Sequence, residues 1–246
     1  MIIDVLSLFP EMLDSPLKAS ILGKAAERGL VRVRAHNIRD YARDRHRTTD
    51  DRPFGGGEGM VVKPEPLVEA LEALGAEPPL PRSVLLTPRG SLFDQRKAEE
   101  LSELPRLILV CGRYEGVDER VARYFVDEEL SIGDYILSGG EPAALVVVDA
   151  VVRLLPGVLG NADSAARESF AEPLLEYPQY TRPRVFRGCE VPEALLSGHH
   201  ERIRLWRRGM SLLRTRERRP DLFRQLKMTE RDQDLLLRAM EEEGQA

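Results

Sequence analysis

Three glycine-bearing loops, each predicted at the end of a strand, are the parts of this sequence best suited to hold a small ligand. They are Thr87-Pro88-Arg89-Gly90, Cys111-Gly112-Arg113-Tyr114-Glu115-Gly116 and Ser131-Ile132-Gly133-Asp134-Tyr135-Ile136-Leu137-Ser138-Gly139-Gly140-Glu141. Glycine lets backbone N–H and C=O groups approach a ligand closely, and such groups can read an adenine edge without side chains. The alternative is that these glycines only serve tight turns. One loop alone would read that way; three on consecutive strands favour a site, because open α/β sheets bind ligands beyond the carboxyl ends of their strands. A fourth segment, Asp50–Met60, holds Gly55, Gly56, Gly57 and Gly59 beside Arg45, Arg47 and Arg52. It suits either a loop fitted against a nucleic-acid backbone or a flexible surface loop. A fifth region contains Arg153, then Asp163 and Glu168, then Tyr177–Pro183. A carboxylate there is a candidate general base, although most such carboxylates are merely solvated.

The elements that must position these residues follow from hydrophobic periodicity. Strands are expected at Ile2–Phe9, Val31–Ile38, Ser83–Thr87 and Leu107–Cys111, with a short strand or extended loop within Ser131–Leu137. Helices are expected at Glu11–Arg28 (stopped by Gly29), Glu65–Leu74, Asp94–Leu104, Asp118–Phe125 and Glu141–Leu155. Alternating strands and helices predict an α/β fold, with a largely parallel sheet and helices on both faces. After Pro156 the pattern changes. Residues 157–170 are small and polar without periodicity, which predicts a linker or mobile loop. Helices follow at Val191–Leu196, Glu201–Arg218, Pro220–Leu226 and Thr229–Glu243, a small helical domain. The expected boundaries are residues 1–160, a loop at 161–172, and 173–246.

The charge distribution bears on the partner. The 246 residues carry 36 Lys+Arg and 41 Asp+Glu, a net charge of −5. On average this disfavours phosphate binding, but the charge is segregated. Arg182–Arg219 contains 11 Arg and 4 Glu, and Arg28–Arg52 contains 8 Arg and 4 Asp. Two basic islands thus sit on an acidic remainder, which fits either nucleic-acid binding or a solvated helix face. Several function classes are excluded. There is no G-x-G-x-x-G after a strand, no G-x-x-x-x-G-K-[ST] and no H-E-x-x-H. His36, His46, His199 and His200 lack metal-ligand spacing, and His199-His200 fits a polar helix start better than a metal site. With Cys111 and Cys189 the only cysteines, no disulfide framework or zinc site is expected. No stretch approaches a membrane span, and the N-terminus lacks signal-peptide character, so a cytoplasmic protein is expected.

These motifs together resemble the bacterial tRNA (guanine-N1)-methyltransferase family, TrmD. Asp50–Met60, Cys111–Arg120, Ser131–Glu141, Leu155–Gly160, Glu168-Ser169-Phe170, Tyr180–Pro183 and Leu195–Gly198 stand in the family's order. The resemblance runs from Leu8-Phe9-Pro10 to about Pro220. It implies a SPOUT methyltransferase fold with a deep trefoil knot, followed by a small all-α tRNA-binding domain. It implies a homodimer whose active sites are each shared between chains, and methyl transfer from S-adenosylmethionine to N1 of the guanine immediately 3′ of the anticodon, in support of reading-frame maintenance. Carried over residue by residue, the donor would be held by Pro88, Gly112, Ile132, Gly133, Asp134, Tyr135, Ile136, Leu137, Gly139 and Gly140. The tRNA would meet Asp50, Gly57, Gly59, Glu115, Arg182, Arg204, Arg207 and Arg208. Glu168 and Arg153 would be catalytic, and no metal ligand is implied, although a divalent ion such as Mg2+ could still assist.

The implied chemistry is coherent. Guanine N1 carries a proton at neutral pH; a carboxylate can accept it, a contribution of about 10²- to 10⁴-fold. A fixed Arg can stabilise the negative charge that builds toward O6. There are departures from the family pattern. Glu168 stands where the family has Asp, Glu58 where Pro is frequent, and Gln179 where His is common, while Pro142 comes one position early. Asp163 is the alternative base. A methyltransferase acting on another RNA position, or an RNA-binding protein without catalysis, are the competing readings.

Overall fold

Strand and helix alternate through the first part of the chain. The order is β1 (Ile2–Ser7), α1 (Glu11–Leu17), α2 (Ser20–Glu27), β2 (Arg32–Asn37), β3 (Asp50–Asp51), β4 (Val61–Val62) and α3 (Pro64–Gly75). There follow β5 (Arg82–Leu92), α4 (Gln95–Ser102), β6 (Arg106–Cys111), α5 (Glu119–Tyr124), β7 (Glu128–Ser131) and α6 (Glu141–Val152). This computed structural model describes residues 1–160, 169–170 and 172–244. Asp163 and Glu168 therefore lie outside the described residues, as does most of the expected 161–172 loop. The chain divides into two compact units, Met1–Ala162 and Asp163–Ala246.

The sheet of the first unit has the order β2-β1-β6-β5-β7, and every pairing in it is parallel. Its central strand β6 is buried at every position, as expected of a continuous apolar run covered on both faces. Alternate side chains serve two cores. Ile3, Val5, Val84, Leu86, Leu107 and Leu109 pack with Leu13 of α1, Leu22 of α2, Leu101 of α4 and Val147 of α6. Leu6, Leu85, Ile108 and Val110 pack on the other face with Leu67 and Leu71 of α3 and Val121 of α5.

Two expectations are corrected. The single helix over Glu11–Arg28 is two, because Pro16 sits inside α1. A proline has no N–H for the Met12 carbonyl and its ring crowds that carbonyl, so α1 ends at Leu17 and α2 starts afresh at Ser20. Strand β5 also runs past Thr87. It pairs with β7 up to Leu86↔Leu130 and resumes at Ser91↔Leu130 and Leu92↔Ser131. Residues 87–90 form an excursion between these pairings, so the loop interrupts a strand rather than ending it.

The second unit holds an antiparallel pair, β8 (Val185–Phe186) with β9 (Cys189–Glu190). It also holds helices α7 (Glu193–Leu196), α8 (His200–Arg218), α9 (Pro220–Phe223) and α10 (Glu230–Gly244). Trp206, Met210 and Leu213 of α8 share a core with Leu235, Leu236 and Ala239 of α10 and with Leu174. The β8–β9 pair means that the unit is not purely helical. His199 caps α8: its Nδ1 accepts from the Arg202 amide at 3.2 Å, the helix-start role expected of it. Among the described residues no helix is long and apolar enough to cross a membrane.

Candidate active site

The three glycine-bearing loops, namely the 87–90 excursion within β5 and the loops that follow β6 and β7, meet and enclose a cavity of about 340 Å3. That is within the range of roughly 300–1,000 Å3 usual for small-molecule sites. Of the residues expected to hold a donor, Pro88, Gly112, Ile132, Gly133, Tyr135, Ile136, Leu137, Gly139 and Gly140 line it. Asp134 does not; it is exposed in the loop between β7 and α6. Ile136 is 83% exposed and Tyr135 and Leu137 are also open to solvent, so the cavity presents apolar surface that a ligand would cover. Arg89, also on the wall, is tied to Glu129 at 2.8 Å and to Glu119.

Backbone contacts hold the loops in register. The Gly140 N–H donates to the Gly112 carbonyl at 2.8 Å, and Arg113 forms an antiparallel bridge with Gly139. Beneath them lies Glu141, the first residue of α6, only 1% exposed. Its Oε1 accepts from the Ser7 hydroxyl at 2.7 Å and its Oε2 from Arg113 Nη1 at 3.2 Å. The Arg113 guanidinium also stacks over the Phe9 ring, 4.4 Å from its centroid. Burial, and then the Glu141 charge, push the Cys111 thiol well above its usual value. Cys111 is therefore a neutral core residue and not a nucleophile.

The Asp50–Met60 segment is anchored to the same site. Asp50 pairs with Val62 and Asp51 with Val61, closing the glycine loop at its base. The Glu115 N–H donates to the Met60 carbonyl at 3.0 Å, and the Val62 N–H to the Gly116 carbonyl at 2.9 Å. Glu115 thereby lies against Gly59 and on the cavity wall. Gly57 is exposed in the loop and Phe54 fully exposed near its start.

Arg153 is placed elsewhere. It caps the C-terminal end of α6, whereas Gly140 caps the N-terminal end beside the cavity. At 1.5 Å per residue the two backbones stand about 20 Å apart. Glu168, its expected catalytic companion, lies outside the described residues.

In the second unit the expected tRNA contacts differ in their partners. Arg204 forms a two-pronged pair with Glu201, and hydrogen bonding from Arg204 holds the Glu201 carboxyl down to about 2. Arg208 is held by Asp232 and Glu172, each at 2.8 Å. Arg207 instead stacks over the Tyr177 ring at 4.7 Å, and among the described residues it meets no carboxylate. Arg182 is exposed ahead of the β8–β9 pair. Among the described residues no group of three His, Cys, Asp or Glu side chains could hold a metal ion.

The family model described as tRNA (Guanine-1)-methyltransferase TrmD matches residues 1–225. The chain belongs to that family. Among its relatives, a protein of Geobacter sulfurreducens named tRNA (guanine-N(1)-)-methyltransferase is 56% identical over 242 residues, 98% of each chain. One of the same name from Myxococcus xanthus is 58% identical over 241 residues, 98% of this chain and 97% of its own. A third, from Halalkalibacterium halodurans, is 55% identical over 235 residues, 95% of this chain and 96% of its own. The match to the TrmD family spans all three cavity loops and the glycine loop. It also spans Ser7, Arg113 and Glu141, which sequence reasoning did not single out. Arg113 and Glu141 each sit in a recognised motif, but nothing in either motif indicates that they touch; they are 28 residues apart and meet only because β6 and α6 pack together.

Proposed function

We infer that this member of the TrmD family methylates N1 of the guanine immediately 3′ of the tRNA anticodon, with S-adenosylmethionine as donor, and so supports reading-frame maintenance. The observation that carries the reading is the convergence of three glycine-bearing loops on one cavity in a chain of this family. The residues fit the donor. Exposed Tyr135, Ile136 and Leu137 offer apolar cover for a flat ring, and the glycines leave backbone polar groups within reach of its edge. S-adenosylmethionine supplies a methyl group carried on a sulfonium, so activating the methyl takes no metal, and a divalent ion such as Mg2+ is assigned no part in that step.

The protein's own residues do the rest. Glu168 accepts the N1 proton, and Asp163 is the substitute base. Arg153 stabilises the charge that develops toward O6. Glu115, Asp50, Gly57 and Gly59 hold the tRNA at the cavity edge, and the helical part of the chain meets it through Arg182 and Arg207 at phosphate, with Arg204 and Arg208, already paired with carboxylates, the weaker contacts. Residues 1–160 form the methyl-transfer domain, 161–172 the connecting loop and 173–246 the tRNA-binding domain.

The reading also includes a homodimer with shared active sites. The placement of Arg153 supports it: an arginine some 20 Å along α6 from the cavity lip is supplied to that cavity by a second copy. It includes a trefoil knot as well, an exception to ordinary connection rules. The loop between β7 and α6, lying along Gly112 and Arg113, is where it would form. The setting is the cytoplasm, where tRNA is processed. The test is to incubate the protein with S-adenosylmethionine and bulk tRNA and map the modified nucleotide. N1-methylguanosine beside the anticodon supports the reading, and a product at any other position overturns it.

A further inference from the structure

The Glu141 carboxylate is a buried charge to which the proposed chemistry assigns no task. It is 1% exposed and lies where three elements meet. Ser7 ends β1, Arg113 follows β6, and Glu141 opens α6 directly after the Gly139-Gly140 pair. Burying a carboxylate costs several kcal/mol unless it is paired and hydrogen bonded, so its place here calls for a reason. Ser7 is itself fixed, because its Oγ accepts from the Phe9 N–H at 2.8 Å. Arg113 is held from two sides, by Glu141 at 3.2 Å and by the Phe9 ring. The pair sits so close beneath Gly139 that a Cβ there would overlap both the Glu141 carboxylate and the Arg113 guanidinium. Arg113 and Gly139 are also cavity-lining residues.

The electrostatics follow from this placement. Arg113 brings a permanent positive charge to the wall of a cavity whose proposed donor is itself a cation at sulfur. An uncompensated guanidinium would repel that cation, and low-dielectric surroundings would strengthen the effect. A carboxylate 3.2 Å away cancels the charge while leaving the guanidinium free to brace the loop.

We propose that Glu141 is a positioning residue for methyl transfer: it acts through Arg113 to lock the Gly112–Gly116 loop against the Gly139–Gly140 turn, and it neutralises Arg113 so that the cavity accepts a sulfonium. The proposal rests on the donor reading above. It differs from a purely structural role in one respect. A structural residue would affect cationic and neutral ligands of the same shape alike, whereas Glu141 discriminates between them.

The experiment measures the affinities of S-adenosylmethionine and S-adenosylhomocysteine by calorimetry; the two differ chiefly in the methyl group and the charge at sulfur. In Glu141→Gln the preference for the sulfonium over the neutral thioether should fall by about tenfold. Glu141→Asp should retain most of it. Arg113→Met removes the opposing cation and should shift the preference the other way, toward the sulfonium. The double variant Arg113→Met/Glu141→Gln should return toward the wild-type ratio. Equal loss of both ligands in Glu141→Gln, or no opposite shift in Arg113→Met, overturns the proposal. If Glu141→Gln does not fold, the Arg113→Met ratio decides alone. Wild-type protein that binds neither ligand overturns the donor reading and this proposal with it; wild-type binding with unchanged variant ratios overturns this proposal alone.

Discussion

The Glu115 side chain fills the space that a Cβ on Gly59 would occupy. This contact joins the glycine loop to the cavity wall, and it depends on the missing side chain. Gly59 also has φ +81°, a conformation costly for any residue with a Cβ. Gly59→Ala should therefore lose about 1–2 kcal/mol from backbone strain and push Glu115 off the loop. Steady-state assays should find a raised KM for tRNA with donor affinity kept. An unchanged KM would separate this contact from tRNA binding.

Glu168 is the expected base. Glu168→Gln should lower single-turnover methyl transfer at least about 10²-fold while calorimetry still detects donor binding. Full activity in that variant would pass the role to Asp163, and Asp163→Asn would then show the loss.

The arginines of α8 should not behave alike. Arg207 meets an aromatic face and no carboxylate among the described residues, so its charge is available to phosphate. Arg207→Gln should reduce the slope of log affinity against log salt by about one with stability kept. Arg208 is held by Asp232 and Glu172. Arg208→Gln should lower the urea midpoint, because it leaves Asp232 without its cation. An equal drop in salt slope for both variants would contradict the distinction.

A buried charge cluster governs acid stability. Asp4, fully buried in β1, accepts hydrogen bonds from Arg34, Arg106 and His36 at 2.6–3.0 Å. Burial alone would raise its carboxyl, but the bonds from His36, Arg34 and Arg106 outweigh it and hold the group well below the usual carboxylate range. A depressed folded-state pKa means that this stabilisation is complete above the ordinary value of 3.8 and is lost as pH falls below it. Asp4→Asn should cost about 3–5 kcal/mol at neutral pH, since it leaves the buried Arg106 with only the Glu77 carboxylate, 3.4 Å away, as its counter-charge. Urea titrations at pH 7 and pH 3 should show the gap to wild type narrowing in acid. A constant gap would refute the assignment.

Much of this protein is legible from residue order alone. The run Leu107–Cys111 reads as a strand buried on both faces, since five consecutive apolar residues between Pro105 and Gly112 are too short for a buried helix. The glycine loops and basic islands likewise follow from local composition, and the motif order leads to the family. What local pattern misreads is where a single residue overrides periodicity: Pro16 cuts one amphipathic stretch into two helices, and β5 resumes its pairing after the 87–90 excursion because its neighbour β7 is there to receive it. The net partners of charged groups are invisible for the same reason. Arg204, Arg207 and Arg208 look equivalent in sequence, but Glu201, Tyr177 and the pair Asp232 and Glu172 give them three different environments. Ser7, Arg113 and Glu141 are distant in sequence, and only the packing of β1, β6 and α6 brings their side chains within hydrogen-bonding distance. Composition and spacing determine which chemical groups the chain owns; the approach of elements remote in sequence decides which of those groups are neutralised, buried or left open to a ligand, because Coulomb and hydrogen-bond energies depend on distances that only the fold sets.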